Sequence, residues 1–177
     1  KAASLYKDIM ARNYPILLTR DINTAREWLR SKAIGSLRTG VLISKTSARY
    51  RPQAIRPIDK TSGDVNTVHW FLEDKTDVRS SNYLEEAATE IEVQGLELDY
   101  TCVLWDPDMR YSPNGWEFKK FNGSKNWTDE TNAETRNYML NGYRVLLTRA
   151  RQGMIICIPK GNNKRNAEGL YEDQTRL

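Results

Sequence analysis

The chain has one histidine, His69, and two cysteines, Cys102 and Cys157. That scarcity excludes a CxxC metal site and the common His-containing zinc patterns. A Ser-His-Asp or Cys-His site would have to use the single imidazole, and nothing in the sequence supports one; His69 reads as a packing or hydrogen-bonded residue. Both cysteines sit in apolar, strand-like runs and read as inert buried thiols of a reducing, cytoplasmic compartment. No apolar run approaches the roughly 20 residues of a membrane span, so no membrane partner is expected. The opening Lys-Ala-Ala-Ser has neither an initiating Met nor the apolar stretch of a signal peptide, and the chain reads as a piece of a longer one.

A phosphate-binding glycine loop is also missing. Gly35 and Gly40 have the spacing of Gly-x-x-x-x-Gly-Lys-Ser/Thr, but Val41 follows where the lysine belongs. No hydrophobic strand ends in the Asp-Glu pair that would hold magnesium and a water. An NTPase of this kind needs both parts, so the chain is not expected to hydrolyse ATP alone.

What is present suffices for one domain with a core: 177 residues, 39% hydrophobic, with a mean hydropathy of −0.70. The net charge of +4 conceals a split. Residues 26–60 hold nine Lys/Arg against two Asp/Glu, and residues 73–99 hold nine Asp/Glu against two Lys/Arg. A basic half points to a polyanionic partner, although charges also simply cover solvated faces.

Along the chain, Leu5, Ile9 and Met10 suggest a helix over residues 3–13, and Pro15 to Thr19 a short buried strand. Asp21 is placed to cap a helix with Ile22, Ala25, Trp28 and Leu29 on one side, stopped near Gly35. Gly40 to Ser44 is the next strand. Lys45, Thr46, Ser47, Arg49 and Arg51 follow its end, where open α/β sheets place ligands. They are candidate phosphate contacts, or an ordinary basic loop. Residues 52–66 read as a connection, and residues 83–91 fit helical spacing while also suiting a strand end.

Thr101 to Trp105 and Met154 to Pro159 are further strands, and residues 130–150 a helix starting near Thr128 or Asp129. Between them, residues 106–131 carry Pro107, Pro113, Gly115 and Gly123 and read as a functional loop or a small hairpin. Asp106 and Asp108 within it are placed either to bind a metal or to cap a turn; with no third ligand evident, no metal site is assigned. Trp116 and Trp127 are suited to stacking on bases or to pinning the loop.

Two stretches carry a more specific signal. One is Thr89-Glu90-Ile91-Glu92-Val93-Gln94-Gly95-Leu96-Glu97, and the other Thr148-Arg149-Ala150-Arg151. Each leads into an apolar strand, and a Glu beside one strand with an Arg pair before another suits phosphate and ribose handling. The first resembles motif V of superfamily 1 helicases, Thr-x-x-x-x-(Lys/Gln)-Gly-x-Glu, and the second their motif VI. With Leu18-Thr19-Arg20-Asp21, Trp28-Leu29-Arg30, Asp77 to Ser81 and Tyr143 to Gly153, the chain is similar to the Schlafen-like group of bacterial DNA/RNA helicases over roughly residues 15–160.

The resemblance implies a three-layer α/β RecA-like domain with a largely parallel sheet and no P-loop of its own. Residues 1–160 would form the C-terminal RecA-like domain of an ATP-dependent DNA/RNA helicase or translocase, with residues 161–177 a polar extension. An N-terminal P-loop domain of the same protein would hold most of ATP and Mg2+, and a DNA or RNA strand, single-stranded, would be the partner. By matching position, Arg149 resembles the arginine finger. Arg151 matches either its companion or a structural ion-pair residue. Glu97 resembles the carboxylate that accepts a ribose hydroxyl, Gly95 allows close approach to a phosphate, and Gln94 stands where relatives carry a phosphate-binding Lys. Thr89 matches the threonine that touches the nucleic-acid backbone; Ile91 stands where relatives often have His. The bland alternative for Glu97 and Arg149 is an internal salt bridge. Rival functions are a nucleic-acid-binding module without a motor and a regulatory or defence ATPase acting on a protein.

Overall fold

The computed structural model describes residues 14–47, 50, 55–57, 66–122 and 126–158. The expected helix over 3–13, the 161–177 extension, Arg49, Arg51 and most of the 52–66 connection lie outside these residues.

The first strand, β1 (Ile16–Thr19), ends two residues before α1 (Ile22–Lys32). The Asp21 carboxylate accepts the Asn23 and Thr24 amides, each at 3.2 Å, and satisfies two of the free N–H groups of the first turn. The apolar residues at helical spacing, Ile22, Ala25 and Leu29, are the ones buried. Past the helix, Gly35 adopts φ +62 and reverses the chain into β2 (Thr39–Ile43), buried along its whole length. Then come β3 (Arg56–Pro57), α2 (Thr67–Leu72), a 3-10 turn at Ser81–Tyr83, β4 (Glu86–Thr89) and β5 (Leu98–Leu104). After β5 the chain makes β6 (Met109–Ser112), β7 (Gly115–Asn122) and β8 (Asn126–Asp129), then α3 (Ala133–Leu147) and β9 (Ala150–Cys157).

Six strands form one sheet in the order β1-β9-β5-β2-β4-β3, parallel at every pairing. The period-2 alternation of its strands decides the layers. Val41 and Ile43 face a core shared with Ile22, Ala25, Leu29, Cys102 and Leu104. Leu42 and Val103 face the other core, with Trp70, Tyr143 and Leu146. Helix α1 therefore covers one face and α2 with α3 the other, the three-layer α/β arrangement of a RecA-like fold. A register shift between Leu98 and Tyr100 turns Leu98 to the α3 side while Tyr100 packs on the α1 side.

Several expectations are corrected. Of the two readings of 83–91, the strand end holds and the helix does not: Leu84 takes a left-handed conformation at φ +66, and β4 follows and ends at Thr89. Ala87 and Ala88 each face one of the two cores, which a strand allows and a one-sided helix does not. Thr128 and Asp129 belong to β8, and the cap of α3 is Asn132, which accepts the Glu134 and Thr135 amides at 2.8 and 3.1 Å. β9 begins at Ala150 rather than Met154, because the backbone of Arg149 already pairs with Leu98. β1 is an edge strand and only partly buried, with Leu18 71% exposed. The 106–131 stretch holds a three-stranded antiparallel sheet, β6-β7-β8, larger than a hairpin. No helix among the described residues is long and apolar enough to cross a membrane.

Candidate functional site at the two sheet edges

The register separates the candidate residues into two groups. Thr89 is level with Ile43, Ile43 with Leu104, and Leu104 with Cys157, which defines the C-terminal edge of the sheet. Leu98 is level with Ala150, at the N-terminal edge. Leu98 and Leu104 are six residue steps apart along β5, roughly 20 Å at about 3.3 Å per residue. The 90–97 connection spans that height, so Thr89 lies at one edge and Gly95–Glu97 at the other.

At the N-terminal edge, α3 ends at Thr148 and hands the chain to β9 through Arg149. The Leu98 amide donates to the Arg149 carbonyl at 2.9 Å, which stitches the end of the 90–97 connection to this turn. The half-buried Arg149 guanidinium reaches back across it. Its Nη1 lies 3.5 Å from the Leu96 carbonyl, and its Nη2 donates to Thr148 Oγ1 at 3.2 Å. Its Nε is buried without a hydrogen-bond partner among the described residues. Leaving such a donor unmet costs about 1–3 kcal/mol, so the group is open to a further acceptor. The salt bridge to Glu97 does not form among the described residues; Glu97 is exposed, as are Gln94 and Arg151. Gly95 adopts φ +81, and a Cβ there would meet nothing within 4 Å in this chain. The glycine is required by its backbone conformation, and the space over it is open.

At the C-terminal edge, most candidate side chains are already engaged. The Thr89 side chain is buried and its hydroxyl donates to the Glu92 carboxylate, which also accepts the Thr89 amide at 3.1 Å. Ser47 is buried and donates to Asp106 Oδ2 at 2.6 Å. Thr46 donates to Asp108 Oδ2 at 2.5 Å and neighbours Ser44 Oγ at 2.9 Å. As placed, Ser47 and Thr89 shape their loops rather than offer hydroxyls to a ligand. Lys45 is exposed, and its backbone amide donates to the buried Glu90 carboxylate at 2.9 Å.

Asp106 and Asp108, read from the sequence as a metal pair or a turn cap, do something else. They receive hydroxyls from the loop after β2, across 59 and 62 residues of chain. Asp108 also accepts from Tyr143 at 2.6 Å and from the Met109 amide at 2.9 Å. Burial pushes the Asp108 carboxyl up to about 7 against the pull of these donors, with the neighbouring Asp106 charge adding to the rise. Among the described residues no group of three His, Cys, Asp or Glu side chains is placed to hold a metal ion. Of the two tryptophans of the 106–131 sheet, Trp116 packs outside it, against Trp105 at 6.1 Å, whereas Trp127 packs within it, against Phe121 of β7 at 5.1 Å. His69 is tied to Glu73, Nδ1 to Oε1, at 2.8 Å.

Glu90 had no part of its own in the sequence reading, and the long-range bonds of Asp108 and Tyr143 were not visible there. Their partners are far away along the chain, and the one available signal was that Glu90 and Asp108 are carboxylates next to apolar strands, where burial demands donors.

The model of one protein family, described as Schlafen group 3, DNA/RNA helicase domain, matches residues 1–160. Neither the curated proteins nor the solved structures contain a match to the chain.

Proposed function

The chain belongs to the Schlafen group 3 DNA/RNA helicase domain family, and on that premise we propose that it is the second RecA-like domain of an ATP-driven helicase or translocase. It would complete an ATP site held mainly by a P-loop domain of the same protein. The observation that carries this reading is the gathering of Gly95, Glu97 and Arg149 at one sheet edge, with the Arg149 Nε unmet.

The donor set fits a polyphosphate. A nucleoside triphosphate offers only acceptors along its phosphates, and Arg149 has a planar fork of donors with few internal partners. ATP with Mg2+ supplies the phosphoryl group to be transferred. Arg149 acts as the finger that offsets charge on the equatorial oxygens, with Arg151 beside it on β9. Glu97, exposed at the same edge, accepts a ribose hydroxyl. Gly95 lets the backbone approach a phosphate, and Gln94 gives a neutral contact where a cation would be stronger.

The opposite edge serves the nucleic acid. Lys45 reaches a strand's phosphates directly, with Arg49 and Arg51 of the same loop. Thr46, Ser47 and Thr89 set the shapes of the loops that receive the strand.

The test is ATP turnover by the full-length protein with and without single strands. Arg149→Ala should lower the stimulated kcat by about 10³-fold or more, with nucleotide affinity largely kept. Unchanged turnover removes the finger assignment. Absence of turnover in a folded wild-type protein with an intact P-loop domain moves the reading to a binding module.

A further inference from the structure

Helix α3 touches both edges. Its C-terminus delivers Arg149, and its middle is bolted to the loop that follows β2 through two buried carboxylates. Glu90, 3% exposed, accepts the Lys45 amide at 2.9 Å. Its side chain lies so close to the helix that a Cβ added at Gly142 would stand 3.3 Å from Glu90 Cγ, Cδ and Oε1. Tyr138, one turn earlier, feels the same carboxylate: burial and the Glu90 charge push its hydroxyl up to about 12. Asp108, fully buried, bridges the same partners a second time, taking Thr46 Oγ1 at 2.5 Å on one oxygen and Tyr143 Oη at 2.6 Å on the other. Trp105 stacks on Tyr143 at 4.4 Å and holds that ring in register, and the Tyr143 hydroxyl in turn accepts the Asp106 amide at 3.2 Å.

We infer that Asp108 and Tyr143 are positioning residues that couple occupancy of the loop after β2 by a nucleic-acid strand to the placement of Arg149. The inference rests on the reading of Arg149 as the finger, and goes beyond it by naming the contact through which the strand is felt. From Tyr143 to Arg149 is six residues, roughly 9 Å along a helix and its cap at about 1.5 Å per residue. Such a segment is stiff, and a close-packed interior passes a displacement on rather than absorbing it. Glu90 packs against the helix at Gly142, next to Tyr143, where the Asp108 hydrogen bond arrives. A strand that pulls Lys45 and Thr46 therefore pulls one short stretch of α3, and Arg149 follows that stretch directly. The Thr46–Asp108–Tyr143 chain of hydrogen bonds is the element that the strand and Arg149 would both bias.

The experiment uses the full-length protein, Asp108→Asn and Tyr143→Phe, with oligothymidylate and oligouridylate as the strands. Turnover is measured with and without strand, and strand affinity by anisotropy. Each variant should keep unstimulated turnover and strand affinity, while the ratio of stimulated to unstimulated turnover falls about fivefold or more, the low end of allosteric couplings. The double variant should lose no more than either single one, because the two groups share one hydrogen bond. A carboxyl that merely supports the fold would lower both turnovers in proportion, and that result overturns the inference, as does full stimulation in both variants. If the wild-type protein shows no stimulation at all, the motor reading itself fails.

Should neither variant fold, hydrogen exchange on the wild-type protein decides. Adding strand without nucleotide should change protection at Val145 to Thr148, and unchanged protection there overturns the coupling.

Discussion

Asp108 is the residue whose surroundings most exceed what its type announces. Three donors favour its charged form, yet full burial beside Asp106 outweighs them and raises it to about 7. The consequence for stability has a definite sign. The carboxyl binds its proton more tightly folded than unfolded, so its contribution is complete below about pH 4 and is lost as pH rises through about 7. Above that, the folded state carries a buried charge, worth roughly 4 kcal/mol at most over the window. Urea unfolding at several pH values should show wild-type stability declining from mildly acidic to mildly alkaline pH more steeply than that of Asp108→Asn. Parallel slopes for the two proteins would mean that the carboxyl is ionised throughout. At the same scale, Arg149 was singled out by the Thr148–Arg151 resemblance alone, whereas its unmet Nε was not visible there; only the folded turn shows which donors the chain has already used.

Among the elements, β2 is the one around which the sheet is built, with β5 on one side and β4 on the other. Its centre must be small on the α2 side. A Cβ at Gly40 would lie 2.9 Å from Leu98 Cδ1 and 3.0 Å from two ring carbons of the fully buried Trp70. Both neighbours are fully buried, so Gly40→Ala should destabilise the domain by about 1–3 kcal/mol as an overpacked site. A melting temperature equal to wild type would show that Trp70 can shift freely. This glycine was read in the sequence as the start of a strand and as half of a failed P-loop spacing; its packing role needed Trp70, thirty residues on, to be seen beside it. The strand pattern of β2 and β5 and the stripe of α1 were readable because periodicity is local. The start of α3 was misplaced for the opposite reason: Thr128 and Asp129 are good capping residues by type, but pairing with Lys120 and Lys119 across β7-β8 claims them first.

For the molecule as a whole, the separation of the candidate residues between the two edges follows from parallel topology. Each connection must return the chain from one edge to the other, so a motif that lies between two parallel strands necessarily presents its ends at opposite edges. Thr89 and Glu97 are separated in this way. If the C-terminal edge receives a strand through Lys45 and its loop, binding of oligothymidylate to the full-length protein should weaken with salt, by about tenfold or more between 50 and 200 mM if several phosphates are contacted. Affinity insensitive to salt would favour a protein partner over a nucleic acid. The charge split over residues 26–60 and 73–99 anticipates this, but it does not say which edge is basic, since charge along a chain and charge across a surface are different quantities.

The sequence by itself determined the strands β2 and β5, the stripe of α1, the resemblance carried by Thr89–Glu97 and Thr148–Arg151 with the three-layer parallel fold that it implies, and the absence of a Gly-x-x-x-x-Gly-Lys-Ser/Thr run. These rest on local period and on residue identity at short spacing, both of which survive without a fold. Only the tertiary structure decided which polar groups are already satisfied. Hydrogen bonds such as Thr46 to Asp108 and Tyr143 to Asp108 join residues 62 and 35 positions apart, and a buried carboxylate takes whichever donors the packing brings to it. For that reason the Ser47 and Thr89 hydroxyls are found bonded within the protein, and the Asp108 carboxyl joins the loop after β2 to α3.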